Sequence, residues 1–281
     1  MERFSIDHWV DQYVDAVMAA FRTRIRFIGL QGSWGRGEAT PVSDIDMVLV
    51  LDAVDYTDVK KYSQILDNLP YREKSCGFIS GCAELEEWEK SDLFQFFNDT
   101  TVIFGSLEYI LKSIKREDVL RAVKIGACNI YHGCVHNAVH EKRTDVLQSH
   151  YKAAAFTLRA IAYLKKGIFA RKTVDLMELL DAEDREILRQ GARLSEEKCI
   201  SDTLFNTSSA LLIQWASRWI VKSSQPTKTQ SNFNREVGTT THQRNIVTQM
   251  VDGIVGKNGD ESIRHKLAGR ASEYWMLIDE E

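Results

Sequence analysis

The sequence predicts an α/β (α+β) N-terminal domain with a small mixed sheet, followed by an all-α helical bundle domain. Short apolar runs that are bounded by turn residues, as strands are, occur before residue 106. Beyond that point, long stretches repeat their apolar residues with the 3.6-residue period of a helix. We therefore expect a mixed domain over 1–110, a helical domain over 111–222, and a linker with a helical extension over 223–281.

The elements of the first segment follow from local patterns. Helices are expected where apolar residues share one stripe, and Pro70 ends the second of these helices. Strands are expected where apolar and β-branched residues run together between turns. The predicted helices cover 1–21 and 56–69, and the predicted strands cover 25–30, 44–51, 75–80 and 101–104.

Longer helical patterns fill the rest of the chain. Gly167 follows Lys165 and Lys166, which is typical of a helix C-terminus with a basic last turn. Another helix is expected to begin at Thr173. The clearest helical patterns cover 117–143, 145–166 and 203–221; a polar loop is expected over 223–241, and further helical stripes over 247–255 and 263–278.

Acidic and small residues at the head of one predicted strand indicate phosphate and metal chemistry. Asp44 and Asp46 are two residues apart, so on a strand both carboxylates lie on one face. Such a pair suits Mg²⁺, which is usually held by one or two carboxylates and the phosphates of a substrate. The backbone of Gly32 and Ser33 could cradle phosphate oxygens, and Arg36 offers a planar fork that matches a phosphate.

Two commoner phosphate motifs do not fit this stretch. Gly32, Gly35 and Gly37 have the spacing G-x-x-G-x-G, which is not the dinucleotide fingerprint, and no Gly-Lys-Ser/Thr of a P-loop follows. Each half of the motif alone is often only a turn or a solvated strand start. The two halves together, with a strand on either side, favour a nucleotide site.

This arrangement resembles the nucleotidyltransferase domain of the DNA polymerase β superfamily over roughly residues 25 to 110. Gly32, Ser33, Asp44 and Asp46 match the motif of that superfamily one for one, and Ser43 takes the small polar position before the first acid. With its helical second half, the chain is most similar to the bacterial antibiotic nucleotidyltransferases, which adenylylate aminoglycosides or lincosamides.

The resemblance implies a specific reaction. Two Mg²⁺ ions would bridge the Asp pair and the triphosphate of ATP or another NTP, and an NMP would pass to a hydroxyl with release of pyrophosphate. In the family, a third carboxylate on the next strand completes the site. The predicted strand 75–80 has no acid, so Glu73 and Glu84 are the near candidates for the third metal ligand.

A polar stripe in the helical segment offers candidates for a general base. Cys128, His132, His136 and His140 follow one another at steps of four, with Glu141 beside them. The stripe spans about 18 Å of helix, too far for one zinc ion to bind all four. His136 or Glu141 could instead act on the acceptor hydroxyl, and polar packing or solvation of the stripe is an equal alternative. Asp145 is a weaker candidate for the base.

Composition limits the partners. The net charge of −4 shows no basic footprint, so we expect a small hydroxyl acceptor and no nucleic acid. Five cysteines without paired spacing are typical of a reduced chain, and neither a signal peptide nor a membrane-spanning stretch is visible. We therefore expect a cytoplasmic protein that does not bind membranes; a homodimer is left open.

Two other functions fit the same motif. The first is a protein-modifying nucleotidyltransferase (AMPylator) of a toxin–antitoxin or regulatory system, although such enzymes are commonly shorter. The second is a catalytically inactive binding module, which the missing third acid suggests and the intact Asp44 and Asp46 oppose.

Overall fold

The computed structural model describes residues 4–197 and 199–224. These residues belong to one compact unit. The division predicted at residue 110 stays a prediction. The linker and helical extension predicted over 223–281 lie outside the described residues, apart from residues 223 and 224.

A mixed four-stranded sheet lies in the first part of the chain, as the sequence predicts. The strand order is β3-β2-β1-β4; β1 is antiparallel to β2 and β4, whereas β2 and β3 are parallel. The central strand β2 is buried on both faces because helices cover the sheet on each side. The strands are β1 (Ile25–Gln31), β2 (Ile45–Leu51), β3 (Ser75–Gly81) and β4 (Thr101–Gly105).

In the described part of the chain, six helices surround the sheet, and two of them, Ile6–Phe21 and Tyr56–Asp67, are the helices predicted from apolar stripes. Trp9 and Tyr13 of the first helix pack with Met47 and Leu49 on one face of the sheet. Leu93 packs against the opposite face. The short helices α2, α4, α5 and α6 were not predicted as complete elements. These helices are α1 (Ile6–Phe21), α2 (Gly32–Arg36), α3 (Tyr56–Asp67), α4 (Cys82–Glu86), α5 (Lys90–Asp99) and α6 (Glu108–Ser113).

The second part of the chain is helical, as predicted. The pattern expected over 117–143 divides, because buried Asn137 hydrogen-bonds both the N–H and the carbonyl of Arg143 at 2.9 Å and so forms a turn. Gly167 ends α8 in the left-handed region, with φ +70°. The helices are α7 (Arg116–His136), a π-helical turn (Asn137–Glu141), α8 (Thr144–Lys166), α9 (Thr173–Leu179), α10 (Ala182–Glu196) and α11 (Asp202–Lys222).

The helical part has its own apolar core. Residues of α7, α8, α10 and α11 form a single buried cluster, which includes Val123, Leu158, Ile187 and Trp215. Phe94 of α5 belongs to the same cluster and contacts Tyr163 with ring centroids 4.9 Å apart. Helix α5 therefore joins the helical part to the sheet. Within the described part of the chain, every helix is too short or too polar to cross a membrane.

Candidate active site

The Asp pair lies where β2 begins. Asp44 is exposed just before the strand, and half-buried Asp46 pairs in register with Gln31 of β1 and Cys76 of β3. Burial raises the pKa of Asp46, and the charges of Asp44 and Asp99 raise it further, while a hydrogen bond from the Cys76 thiol opposes the shift. The fold thus holds two acids together although their charges repel each other.

Gly32 brings the backbone of the turn against Asp46. It has φ +68°, and a Cβ atom at this position would lie 2.0 Å from Oδ2 of Asp46. Only glycine fits, because a side chain would clash with the carboxylate and would also strain the left-handed backbone. Ser33 follows in the first turn of α2, and its hydroxyl has no hydrogen-bond partner among the described residues. The sequence correctly places the glycine turn beside the acid strand.

Ser43 and Arg36 have partners within the protein. The Ser43 hydroxyl accepts a hydrogen bond from the N–H of Thr40 at 2.9 Å, so it shapes the turn before Asp44. Arg36 is 11% exposed and pairs with Asp99 at 2.6 Å and with Glu38 at 3.2 Å. A phosphate would have to compete with these two carboxylates for Arg36, whose predicted nucleotide-binding role stays a prediction.

A cleft of about 240 Å³ opens between the Asp46 end of the sheet and two helices. Asp99 is the last residue of α5, and its side chain is 8% exposed. Burial raises the pKa of Asp99, and the charge of Arg36 opposes the shift. This second acid was not identified from the sequence. The cleft is lined by Gln31, Gly32, Asp46, Gln95, Phe96, Asp99 and Phe156.

Two further arginines connect the helical part to this end of the sheet. Arg171 donates hydrogen bonds to the carbonyl oxygens of Gly35 and Asp99 and to the Thr101 hydroxyl, at 2.6–3.2 Å. Arg159, which is 3% exposed, donates to the carbonyl of Arg171. Burial lowers the pKa of both guanidinium groups. Arg171, whose own carbonyl is held by Arg159, therefore fixes the positions of α2 and of the end of α5.

Arg36 and Arg159 also frame the cleft wall that Phe156 forms. Their guanidinium carbons lie 5.7 and 5.4 Å from the centroid of the Phe156 ring. Both distances are within the range of cation–π attraction. The phenyl ring is therefore held in place where α8 meets the cleft.

The structure does not bring Glu84 to the Asp pair. Strands β2 and β3 are parallel, and Gly81 at the end of β3 pairs with Leu51. Glu84 contacts this end, since a Cβ at Gly81 would lie 2.4 Å from its Oε2. At about 3.3 Å per residue, that end is about 17 Å from Asp46, too far for a shared ion. The prediction that Glu84 is the third metal ligand is therefore wrong.

Glu73 lies at the same end of the sheet as the Asp pair. It is exposed in the turn before β3, whose first residue, Ser75, pairs with Ile45. The position directly opposite Asp46 on β3 is taken by Cys76. Across residues 4–197 and 199–224, no group of three or more His, Cys, Asp or Glu side chains is placed to hold a metal ion. The predicted third ligand is thus not assembled, and Glu73 as a ligand stays a prediction.

His136 and Glu141 lie away from the cleft. Their side chains are 3.4 Å apart and largely exposed, at 51% and 37%. Helices α7 and α8 run antiparallel, because a Cβ at Gly126 would meet Thr157 and a Cβ at Gly133 would meet His150. Gly126 therefore lies beside Thr157, which follows the cleft residue Phe156. His136 lies about 15 Å further along α7, away from that point. The prediction that His136 or Glu141 is the general base is therefore wrong.

Comparison with known proteins supports the fold. No family model matches this sequence, and no curated protein matches it. Among solved structures, it is similar to the spectinomycin adenyltransferase AAD(9) from Enterococcus faecialis, crystallised with ATP and spectinomycin. The TM-score is 0.51 at 15% identity, over 76% of this chain and 100% of that chain. A nucleotidyltransferase-like protein from Exiguobacterium sibiricum gives a TM-score of 0.30 at 12% identity, over 76% and 75% of the two chains, too low to support an argument. The chain therefore has the nucleotidyltransferase fold, with a small mixed sheet and a helical second part.

Proposed function

We propose that this protein is a Mg²⁺-dependent nucleotidyltransferase that moves AMP from ATP to a hydroxyl of a small molecule and releases pyrophosphate. The main observation that supports this proposal is the contact between Gly32 and Asp46. It places a glycine turn, able to approach phosphate, directly against an acid that requires a cation. A fold likeness to an adenyltransferase agrees with this chemistry.

The Asp pair suits magnesium. Asp44 and Asp46 are hard oxygen ligands at the start of β2, and Mg²⁺ commonly takes one or two carboxylates and completes its shell with water and substrate phosphates. When bound, the metal neutralises charge on the triphosphate and makes the α-phosphorus more electrophilic. A missing third protein ligand is compatible with this kind of site.

The protein's own residues would position the nucleotide. The Gly32 turn lies directly against Asp46, and the Ser33 hydroxyl, which has no hydrogen-bond partner among the described residues, offers a donor to phosphate oxygens. Phe96 and Phe156 line the other side of the cleft and limit the water around the reacting groups. These residues would position the substrates, and the acceptor hydroxyl itself forms the new bond to phosphorus.

The acceptor is proposed to be a small molecule, such as an aminoglycoside or lincosamide antibiotic. The net charge of −4 disfavours a nucleic acid and favours a cationic acceptor. AAD(9), whose fold this chain shares, was crystallised with ATP and spectinomycin, which agrees with an acceptor of this size.

Pyrophosphate release tests the proposal. We would incubate the purified full chain with ATP, Mg²⁺ and a panel of aminoglycosides, spectinomycin and lincosamides. At least one acceptor should support release. Asp46→Asn should lower the rate by about 10³-fold, because the ligand charge that stabilises the transition state is lost. Asp15→Asn, an exposed change on α1, should retain the rate.

Other outcomes identify the alternative functions. Transfer of label from ATP to a protein, with no small acceptor active, would replace this proposal with protein modification. ATP binding by calorimetry without any transfer would indicate an inactive binding module. Unchanged activity of Asp46→Asn would show that the metal site is misplaced.

A further inference from the structure

Two buried polar atoms in the cleft lack a hydrogen-bond partner in the part of the chain that the structure describes. Gln95 and Asp99 are four residues apart on α5, so they share one face of the helix, and both line the cleft. Gln95 Nε2 and Asp99 Oδ1 are buried, and neither has a hydrogen-bond partner among the described residues. Buried polar groups are nearly always paired, so this unused donor and acceptor call for an explanation.

Asp99 is held in one orientation. Its other oxygen, Oδ2, accepts a hydrogen bond from Nη1 of Arg36 at 2.6 Å. Arg171 donates to the backbone carbonyl of the same residue at 3.2 Å. Asp99 is 6% exposed, so the carboxylate cannot turn freely towards water. Its second oxygen is therefore fixed as an acceptor that no group in residues 4–197 and 199–224 uses.

The pair of unused atoms matches a hydroxyl group. A hydroxyl donates one hydrogen and accepts others, so it can satisfy Asp99 Oδ1 and Gln95 Nε2 together. A phosphate oxygen carries no hydrogen to donate and would be repelled by the carboxylate. An ammonium group would satisfy the carboxylate but would leave the Gln95 donor unpaired. The face of α5 therefore fits a hydroxyl, such as that of the acceptor, and not the triphosphate.

The position in the cleft agrees with that assignment. Gly32 and Asp46 line the cleft together with α5, and the charge of Asp99 is close enough to raise the pKa of Asp46. Oδ2 of Asp99 is already paired with Arg36, so this oxygen is not available to a metal at Asp46. A group that faces the metal acid without joining its ligand set is placed to act on the attacking substrate.

We propose that Gln95 and Asp99 form the subsite for the attacking hydroxyl and that Asp99 takes its proton. This inference rests on the proposed transferase function. The hydroxyl proton passes to Oδ1 of Asp99, and the hydroxyl oxygen forms a bond to the α-phosphorus. The bond from that phosphorus to the bridging oxygen breaks, and pyrophosphate leaves with its electron pair. Gln95 donates to the hydroxyl and orients it, while Phe96 and Phe156 pack against the rest of the acceptor.

Two substitutions separate the roles. Asp99→Asn keeps the shape but removes the proton acceptor, so kcat should fall by about 10²-fold or more. Gln95→Leu removes the donor, so the KM for the acceptor should rise about 10-fold. The affinity for ATP with Mg²⁺, measured by calorimetry without acceptor, should stay within about twofold in both variants. Asp92→Asn, an exposed change on the same helix, should match the wild type throughout.

Each result has a definite meaning. Wild-type kcat and acceptor KM in both variants would overturn the inference. Weaker ATP binding with an unchanged acceptor KM would assign the subsite to the nucleotide and would also overturn it. If the wild type transfers to no acceptor in the panel, the proposed function fails and this subsite fails with it. If the wild type is active and Asp46→Asn is inactive while Asp99→Asn is unaffected, the subsite alone fails.

Discussion

Two buried aspartates, Asp184 in the helical part and Asp99 in the cleft, have different surroundings. Asp184 is 1% exposed and uses both oxygens: Trp215 and Trp219 donate to one at 2.9 and 3.0 Å, and Lys165 donates to the other at 3.0 Å. Asp99 has one oxygen in an ion pair, and its other oxygen is buried and has no hydrogen-bond partner among the described residues.

The difference separates a structural acid from a reactive one. Burying a charge is expensive, and full hydrogen bonding offsets that cost. Asp184 receives that compensation and connects α8, α10 and α11. Asp99 receives only part of it, which leaves an acceptor free for a substrate. Such incomplete pairing is characteristic of functional sites, where stability is given up for binding.

The largest expected effect is on stability and distinguishes the two aspartates directly. Asp184→Asn should lower the free energy of unfolding by about 3 kcal/mol, because the charge between Lys165 and two indole N–H groups is lost. Asp99→Asn should change it by less than about 1 kcal/mol, since its burial is only partly compensated. Urea unfolding of both variants measures this. Equal losses would mean that the two carboxylates are equivalent in the fold.

A smaller effect is expected from the glycine turn, where Gly37 provides a matched control. Gly32 and Gly37 have φ +68° and +72°, but a Cβ at Gly37 would meet nothing within 4 Å. Either glycine to alanine should cost about 1 kcal/mol of stability through backbone strain. Only Gly32→Ala should also lower transfer, by about 10²-fold, because it displaces Asp46. Equal activity of the two variants would contradict the contact proposed to build the site.

The sequence predicts the first half of the site well because that half is local. Gly32 and Asp46 are separated only by the short helix α2 and a turn, so both lie within one short stretch of sequence. Asp99 depends on how α5 packs against β1 and α8, and no short-range pattern records that packing. Arg36 pairs with nearby Glu38 and also with Asp99, which lies far along the chain. The histidine stripe showed which residues share a helix face and could not show that the face points away from the cleft.

The smallest expected effect concerns pH and refines the comparison at Asp99. Its raised pKa means that, above the unfolded value of about 4, the native state keeps a proton that the unfolded chain has lost. Stability contributed by this site therefore falls as pH rises through that window and is fully present below it. Asp99→Asn lacks this loss, so its stability relative to wild type should be greater at pH 7 than at pH 4.5 in urea unfolding. Arg36 keeps Glu38 as a partner in the variant, which limits other changes. If the difference in unfolding free energy between Asp99→Asn and wild type is the same at both pH values, Asp99 ionises at no cost to the fold. Asp99 and Asp184 would then not differ as a partly paired acid and a fully paired acid do.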